Sequence, residues 1–273
     1  MTINCNGQLI DLSKPKVMGI LNRTPNSFFD GGKYKNELDV QLQVEKMVTE
    51  GATFIDIGGY SSKPNAEFVT LREELARVLP IVNLISKQFP KVILSIDTFR
   101  SEVAKACIEN GANMINDISA GKLDDAMLET IAKYNVPYVM MHTRGTPKTM
   151  QNKTHYDDVV KEILFYFSER IAEARRWGIA DLIIDPGFGF AKTIAQNYEI
   201  MQKMELFQQL ELPILVGVSR KSMIYKTLDI DVNEALNGTS VLHTIALLKG
   251  ATILRVHEVK EAIECITLWN KIR

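Results

Sequence analysis

Eight short apolar runs in this chain are each followed at once by a carboxylate, an amide or a cation. The groups are Asn22, Asp56, Asp97, Asn116 with Asp117, His142, Asp185, the run Ser219-Arg220-Lys221-Ser222, and Arg255 with His257. Ionised carboxylates only accept hydrogen bonds, cations only donate them, and amides do both. A ring mixing the three suits a small polar ligand that carries N–H donors at one end and negative charge at the other. Any one Asp or Asn taken alone is equally well read as a helix cap or a solvated loop residue. Repetition after almost every run argues for a shared site. Cys5, Cys107 and Cys265 are odd in number, far apart and without metal-ligand spacing, so neither a disulfide framework nor a thiolate metal site is expected.

The elements that must carry these groups alternate between two periods. The runs starting at Val17, Thr53, Val92, Asn113, Tyr138, Leu182, Ile214 and Thr252 read as strands buried on both faces. Between them, amphipathic patterns predict helices over Asp39 to Glu50, Leu71 to Lys87, Ser101 to Asn110, Asp125 to Tyr134 and Tyr156 to Trp177. Gly51, Gly111, Gly178 and Gly250 follow four helices, where a left-handed residue ends the last turn. Eight strand–helix units in one chain of 273 residues predict a (β/α)8 TIM barrel, a single domain over 1–273. The alternative is an open doubly wound sheet, but its phosphate-binding glycine fingerprint is absent after the first strand. In a barrel, chemistry gathers at the C-terminal ends of the strands, where the polar groups fall.

Composition sets the class. The chain is 46% hydrophobic and 24% charged with a formal net charge of -1, which leaves no basic excess for nucleic acid. No linker or low-complexity tract divides it. The first residues, MTINCNGQLIDLSKPKV, carry neither a secretion signal nor a membrane span, so a cytoplasmic protein with no membrane partner is expected. One loop stands out, NRTPNSFFDGG, which sets Phe28 and Phe29 beside Asp30 and two glycines. Apolar rings in a loop lose free energy unless something covers them, so this segment reads as a lid that closes over a ligand. The competing reading packs both rings permanently on the barrel.

The motifs MGILNRTPNSFFDGG, FIDIGGYSSKPNA, SIDTFR, MINDISAG, MHTRGTPKTMQ, DPGFGFAKT, VGVSRKS and RVHEV resemble, in order and spacing, those of the dihydropteroate synthases. The similarity runs from about Val17 to the C-terminus. It implies a barrel that joins 6-hydroxymethyl-7,8-dihydropterin pyrophosphate to p-aminobenzoate, releasing pyrophosphate and 7,8-dihydropteroate, and it implies a homodimer and a target of sulfonamides.

Carried over residue by residue, the resemblance gives Asp97, Asn116, Ile118, Met140, Asp185 and Lys221 to the pterin. Arg255 and His257, with Ser62 and Asn22, match the pyrophosphate positions, and Asn22 resembles a Mg2+-associated asparagine. Phe28, Ser62, Lys63, Pro64, Phe190 and Ser222 fall where p-aminobenzoate is held, the first four on two loops that fold over the substrates in the resembling enzymes. Lys221, Asp97, Asp185, Arg255 and His257 are the expected catalytic set.

The residue chemistry is compatible. Carboxylates receive the donor-rich pterin edge, Mg2+ keeps several waters and bridges phosphates so that one amide oxygen suffices, and the Arg255 guanidinium is expected to serve the anion alone. Arg220 is expected to be an outward salt-bridge residue, and His142 to shape the pterin pocket with Met140. Breaking a primary C–O bond beside an electron-rich pterin calls for charge neutralisation rather than a covalent nucleophile.

The sequence departs from the family pattern at Arg23, Asn26, Tyr60, Ser62, Lys63 and Asn65, all in the two loops. Lys63 keeps a charge but not the planar fork of arginine. These departures bear on loop closure, p-aminobenzoate affinity and sulfonamide sensitivity. Two other functions are compatible with a pterin-binding barrel: methyl transfer from methyltetrahydrofolate to a corrinoid protein, and a non-catalytic paralogue.

Overall fold

The computed structural model describes residues 1–22, 37–60 and 69–272, with Asn22 described through its backbone alone. The chain opens with an antiparallel hairpin, β1 (Thr2–Cys5) and β2 (Gln8–Asp11), joined by Asn6 and Gly7. Both turn residues have positive φ, 52° and 86°, as a tight two-residue hairpin turn demands.

Then follow β3 (Lys16–Asn22), α1 (Glu37–Thr49), β4 (Phe54–Gly58), α2 (Leu71–Gln88), β5 (Ile93–Asp97), α3 (Ser101–Glu109), β6 (Met114–Asp117), α4 (Met127–Tyr134) and β7 (Tyr138–Met141). The second half comprises α5 (Val159–Arg176), β8 (Leu182–Asp185), α6 (Ile194–Gln202), β9 (Leu215–Val216), α7 (Ser222–Leu228), α8 (Leu236–Leu248), β10 (Ile253–Val256) and α9 (Val259–Ile272).

Strands β3 to β10 pair in parallel in the order β8-β7-β6-β5-β4-β3-β10-β9. A parallel bridge from Ile184 to Ile214, with the Ile184 N–H donating to the Pro213 carbonyl at 3.0 Å, closes the ring. The expected (β/α)8 barrel is therefore what forms. Helix starts are fixed by side-chain caps: Thr70 and Glu73 form a capping box at α2, and Asp158 accepts from the Val160 and Lys161 N–H groups at α5. The Asp158 cap explains why α5 begins three residues after the apolar pattern does. All four glycines expected after helices have positive φ.

The core divides by strand parity. Residues alternating outward, such as Val17, Ile55, Ile96, Ile115, Tyr138, Met140 and Ile184, pack under the helices in one large cluster. Inside the barrel is a second cluster to which each of the eight strands contributes one residue: Met18, Phe54, Ile93, Met114, Val139, Ile183, Leu215 and Ile253. Ile3, Cys5, Ile10 and Leu12 of the hairpin segment join it from below. The N-terminal hairpin thus stoppers the lower end of the barrel. Burying each such aliphatic side chain contributes about 1.5–3 kcal/mol. No described helix is long and apolar enough to cross a membrane.

Candidate active site

Counting two residues along each strand from the buried inner layer gives the next inward positions. These are Ile20, Asp56, Ser95, Asn116, Met141, Asp185, Gly217 and Arg255. Two further on lie Asn22, Gly58, Asp97, Ile118, Thr143, Gly187, Ser219 and His257. An apolar layer therefore gives way to a polar one toward the C-terminal ends, and the change happens within one side-chain step. This is where Asp97, Asn116, Ile118, Asp185, Arg255 and His257 come together.

One carboxylate knits the ring. Asp56 Oδ2 accepts from Arg255 Nε at 2.6 Å and from Asn116 Nδ2 at 3.0 Å, while Arg255 Nη2 reaches Asp97 Oδ2 at 2.8 Å. Asp56 is wholly buried, whereas Asp97 and Arg255 keep 15% and 19% of their side-chain surface. Asp56 is thus the anchor, and the other two reach the mouth. Burial pushes the Asp97 carboxyl up to about 7 against the pull of Arg255, with Asp56 adding to the rise. Burial alone would lower Arg255, but Asp56 and Asp97 together outweigh it and hold the guanidinium above its ordinary value. The expectation that Arg255 is placed for an anion alone is corrected here. Two carboxylates orient it first.

Across the mouth, Asp185 Oδ1 accepts the Gly187 N–H at 2.8 Å, and burial raises this carboxyl against the opposing charge of Lys221. Lys221, the residue preceding α7, donates to the Phe188 carbonyl and lies 4.6 Å over the Phe190 ring. Burial brings its amine down to about 8, with Asp185 resisting. Ser222 opens α7 next to it. His257 Nδ1 lies 2.9 Å from Ser219 Oγ, so the last strand presents Arg255 and a hydrogen-bonded imidazole two residues apart.

Parity also corrects three expectations. Met140 is wholly buried on the helix-facing side, and Met141, in step with Val139, carries the inward position. Adjacent strand residues point to opposite faces, so a one-residue slip exchanges pocket for core. His142 packs edge-on against Tyr166 of α5 at 4.8 Å and lies 3.0 Å from Lys192 Nζ, which makes it a support beneath a loop. Asp117 accepts from Tyr138 Oη at 2.6 Å and from the Ser119 and Gly121 N–H groups, a structural turn role. Arg220 forms the expected salt bridge, its Nε meeting Glu258 Oε1 at 2.6 Å, but it does not face outward: its side chain is 7% exposed and also donates to the Val232 and Asn233 carbonyls. Phe28, Ser62, Lys63 and Pro64, the departures at Arg23, Asn26 and Asn65, and the Asn22 side chain lie outside the described residues.

Two buried ionic groups escaped the sequence reading. Glu74 of α2, wholly buried, pairs with Arg100 and accepts from Thr98 Oγ1 at 2.7 Å, while Arg100 Nη2 donates to the Val69 carbonyl at 2.7 Å. A glutamate on the apolar stripe of α2 with Val78, Ile81 and Ile85 was the available signal. Lys192 carried none, because a lysine just before a helix cap reads as solvated.

A closed parallel barrel whose C-terminal rim gathers carboxylates, an amide and cations over a dry floor is the arrangement of a (β/α)8-barrel enzyme acting on a small polar molecule. Residues 18–257 match the family model described as pterin binding enzyme. The chain is 43% identical over 268 residues to dihydropteroate synthase of Escherichia coli strain K12, covering 97% of this chain and 94% of that one. A crystal structure of Yersinia pestis dihydropteroate synthase with a sulfonamide drug superposes with a TM-score of 0.96 at 40% identity, over 100% of this chain and 99% of that one. Xanthomonas albilineans dihydropteroate synthase with 4-aminobenzoic acid gives 0.90 at 37%, over 99% and 97%. The chain belongs to the pterin-binding enzymes and, within them, to the dihydropteroate synthase family.

Proposed function

We propose that this barrel condenses 6-hydroxymethyl-7,8-dihydropterin pyrophosphate with p-aminobenzoate, giving 7,8-dihydropteroate and pyrophosphate. The observation that carries the assignment of roles is the joining of Asp97, Arg255 and Asn116 through Asp56, opposite Asp185 and Lys221. Asp97, Asn116 and Asp185 take the pterin's donor edge, with Ile118 and Met141 as apolar contacts. Lys221 borders both substrates, since its amine already lies against the loop after β8, on the Phe188 carbonyl and over the Phe190 ring.

In the reaction the C–O bond to pyrophosphate breaks, the leaving group keeps the electron pair, and the arylamine nitrogen attacks the methylene and releases a proton. An aryl amine is neutral at pH 7, so no strong base is required. Arg255 and His257, with Ser62, neutralise the departing anion. Phe190 and Ser222, with Phe28, Lys63 and Pro64, receive the benzoate.

Among the described residues no group of three His, Cys, Asp or Glu is arranged to hold a metal. By its chemistry one amide oxygen, that of Asn22, would be enough to hold Mg2+ brought in by the substrate phosphates, where the ion would supply further charge neutralisation.

Exposed Val241 and Leu248 on α8 and Leu268 and Ile272 on α9 support self-association as a homodimer. Buried free thiols at Cys5, Cys107 and Cys265 support a reducing, cytoplasmic setting. Steady-state pyrophosphate release tests the function: release that requires p-aminobenzoate is expected, and no release with both substrates present overturns it. The name shared by the relatives favours this reading over corrinoid methyl transfer or a non-catalytic shell.

A further inference from the structure

Lys192 is the most buried cation in reach of the site, with 5% of its surface exposed, and among the described residues no carboxylate hydrogen-bonds it. Its Nζ instead donates to the carbonyls of Gly187 and Phe190, each at 2.9 Å, and lies 3.0 Å from His142 Nδ1 and 3.4 Å from the His142 carbonyl. An ammonium has three N–H bonds. Two of its hydrogens go to the loop carbonyls, and His142 Nδ1 is the remaining close partner, donor or acceptor according to the tautomer. Burial holds this amine well below its ordinary range, against the opposing charge of Asp185. Such a group persists where something depends on its hydrogen bonds.

What depends on it is the loop after β8. The Gly187 peptide supplies the N–H that orients Asp185, and Phe190 supplies the ring under Lys221. Between them the Phe188 carbonyl is taken by Lys221, so two lysines hold three carbonyls of one loop. The fit leaves no slack, since a Cβ at Gly187 would lie 2.1 Å from the His142 carbonyl, and φ there is +72°.

We propose that Lys192 is a positioning residue for the condensation. It sets the Gly187 and Phe190 carbonyls so that Asp185 meets the pterin and the Phe190 ring meets the benzoate in one register. Arg255 is held by Asp56 and Asp97, and His257 lies against Ser219, so the pyrophosphate groups have positioning partners outside this loop.

This inference rests on the proposed function, and the experiment separates the two. Lys192→Met keeps the length of the side chain and removes all three donors. It is expected to weaken a pterin analogue at least tenfold in calorimetry and to raise the KM for p-aminobenzoate at least fivefold, while pyrophosphate affinity stays within twofold of the unmutated protein. A merely structural lysine would lower the active fraction, reducing kcat and leaving every affinity unchanged; that result overturns the proposal.

If Lys192→Met does not fold, Lys192→Gln, which retains two N–H donors, carries the same comparison and is expected to fall between the two. Pterin affinity in Lys192→Gln equal to that of the unmutated protein likewise overturns it. Failure of the unmutated protein to release pyrophosphate would count against the function itself and not against Lys192.

Discussion

Asp56 and Arg255 form a buried pair that spans the site: one oxygen of Asp56 holds the Arg255 Nε at 2.6 Å and the Asn116 amide at 3.0 Å. A single carboxylate on β4 therefore fixes a group proposed for the pterin and a group proposed for the pyrophosphate. Loss of that carboxylate would disturb both halves together.

Arg255→Ala is accordingly expected to weaken pterin and pyrophosphate together, because it leaves Asp56 and Asp97 facing each other without their cation. Losing one partner of a buried pair costs about 3–5 kcal/mol of stability. Urea unfolding measures it, and a midpoint equal to that of the unmutated protein would mean that the two carboxylates are not held by Arg255.

Asp97→Asn and Asp185→Asn turn an acceptor into a partial donor facing the pterin's own donors. Each is expected to cost roughly 2–5 kcal/mol of pterin affinity. Calorimetric titration with a pterin analogue decides, and near-native binding in both variants would remove these residues from the pterin site.

Pterin affinity should also depend on pH with a defined sign. With its carboxyl raised to about 7, Asp97 in the free protein is increasingly protonated below that value and loses acceptor capacity. Affinity is expected to rise with pH through about 7, by up to about tenfold per unit below it. Arg255 opposes the rise in the Asp97 carboxyl, so Arg255→Lys, with a less favourable pairing, should move the inflection upward. A flat profile between pH 5 and 8 would exclude Asp97 as an ionised acceptor.

Much of this was written in residue types and period. The eight apolar runs and the polar residue after each define barrel and rim, because parallel strands buried on both faces leave a strong signal. Parity along a short strand is weaker: four residues of β7 do not tell Met140 from Met141 without knowing which face is inside. The hairpin was legible through Asn6-Gly7 between alternating Ile3, Cys5 and Ile10, but four-residue strands are easily read as a tail. Lys192 and Asp56 act through partners 50 and 199 positions away in sequence, His142 and Arg255. Only the closed barrel brings them near.

His243 of α8 offers a test of stability rather than chemistry. It is 2% exposed, its Nε2 has no hydrogen-bond partner among the described residues, and burial pushes it down to about 4. A depressed folded value means the stabilisation is full above the ordinary 6.5 and is lost as pH falls through about 4. The loss is about 3 kcal/mol over that window. His243→Leu should flatten the denaturation midpoint between pH 6.5 and 4 relative to the unmutated chain; an unchanged slope would show that this imidazole does not titrate there.

The stoppered lower end of the barrel gives the molecule one doorway. Twelve apolar side chains, four of them from the hairpin segment, close the route below the polar ring. Both substrates and both products share the opening at the strand C-termini, so whichever lies outermost must depart before the one beneath it. An inhibitor built on the pterin can be lengthened only toward that opening, since growth in the other direction meets packed hydrocarbon.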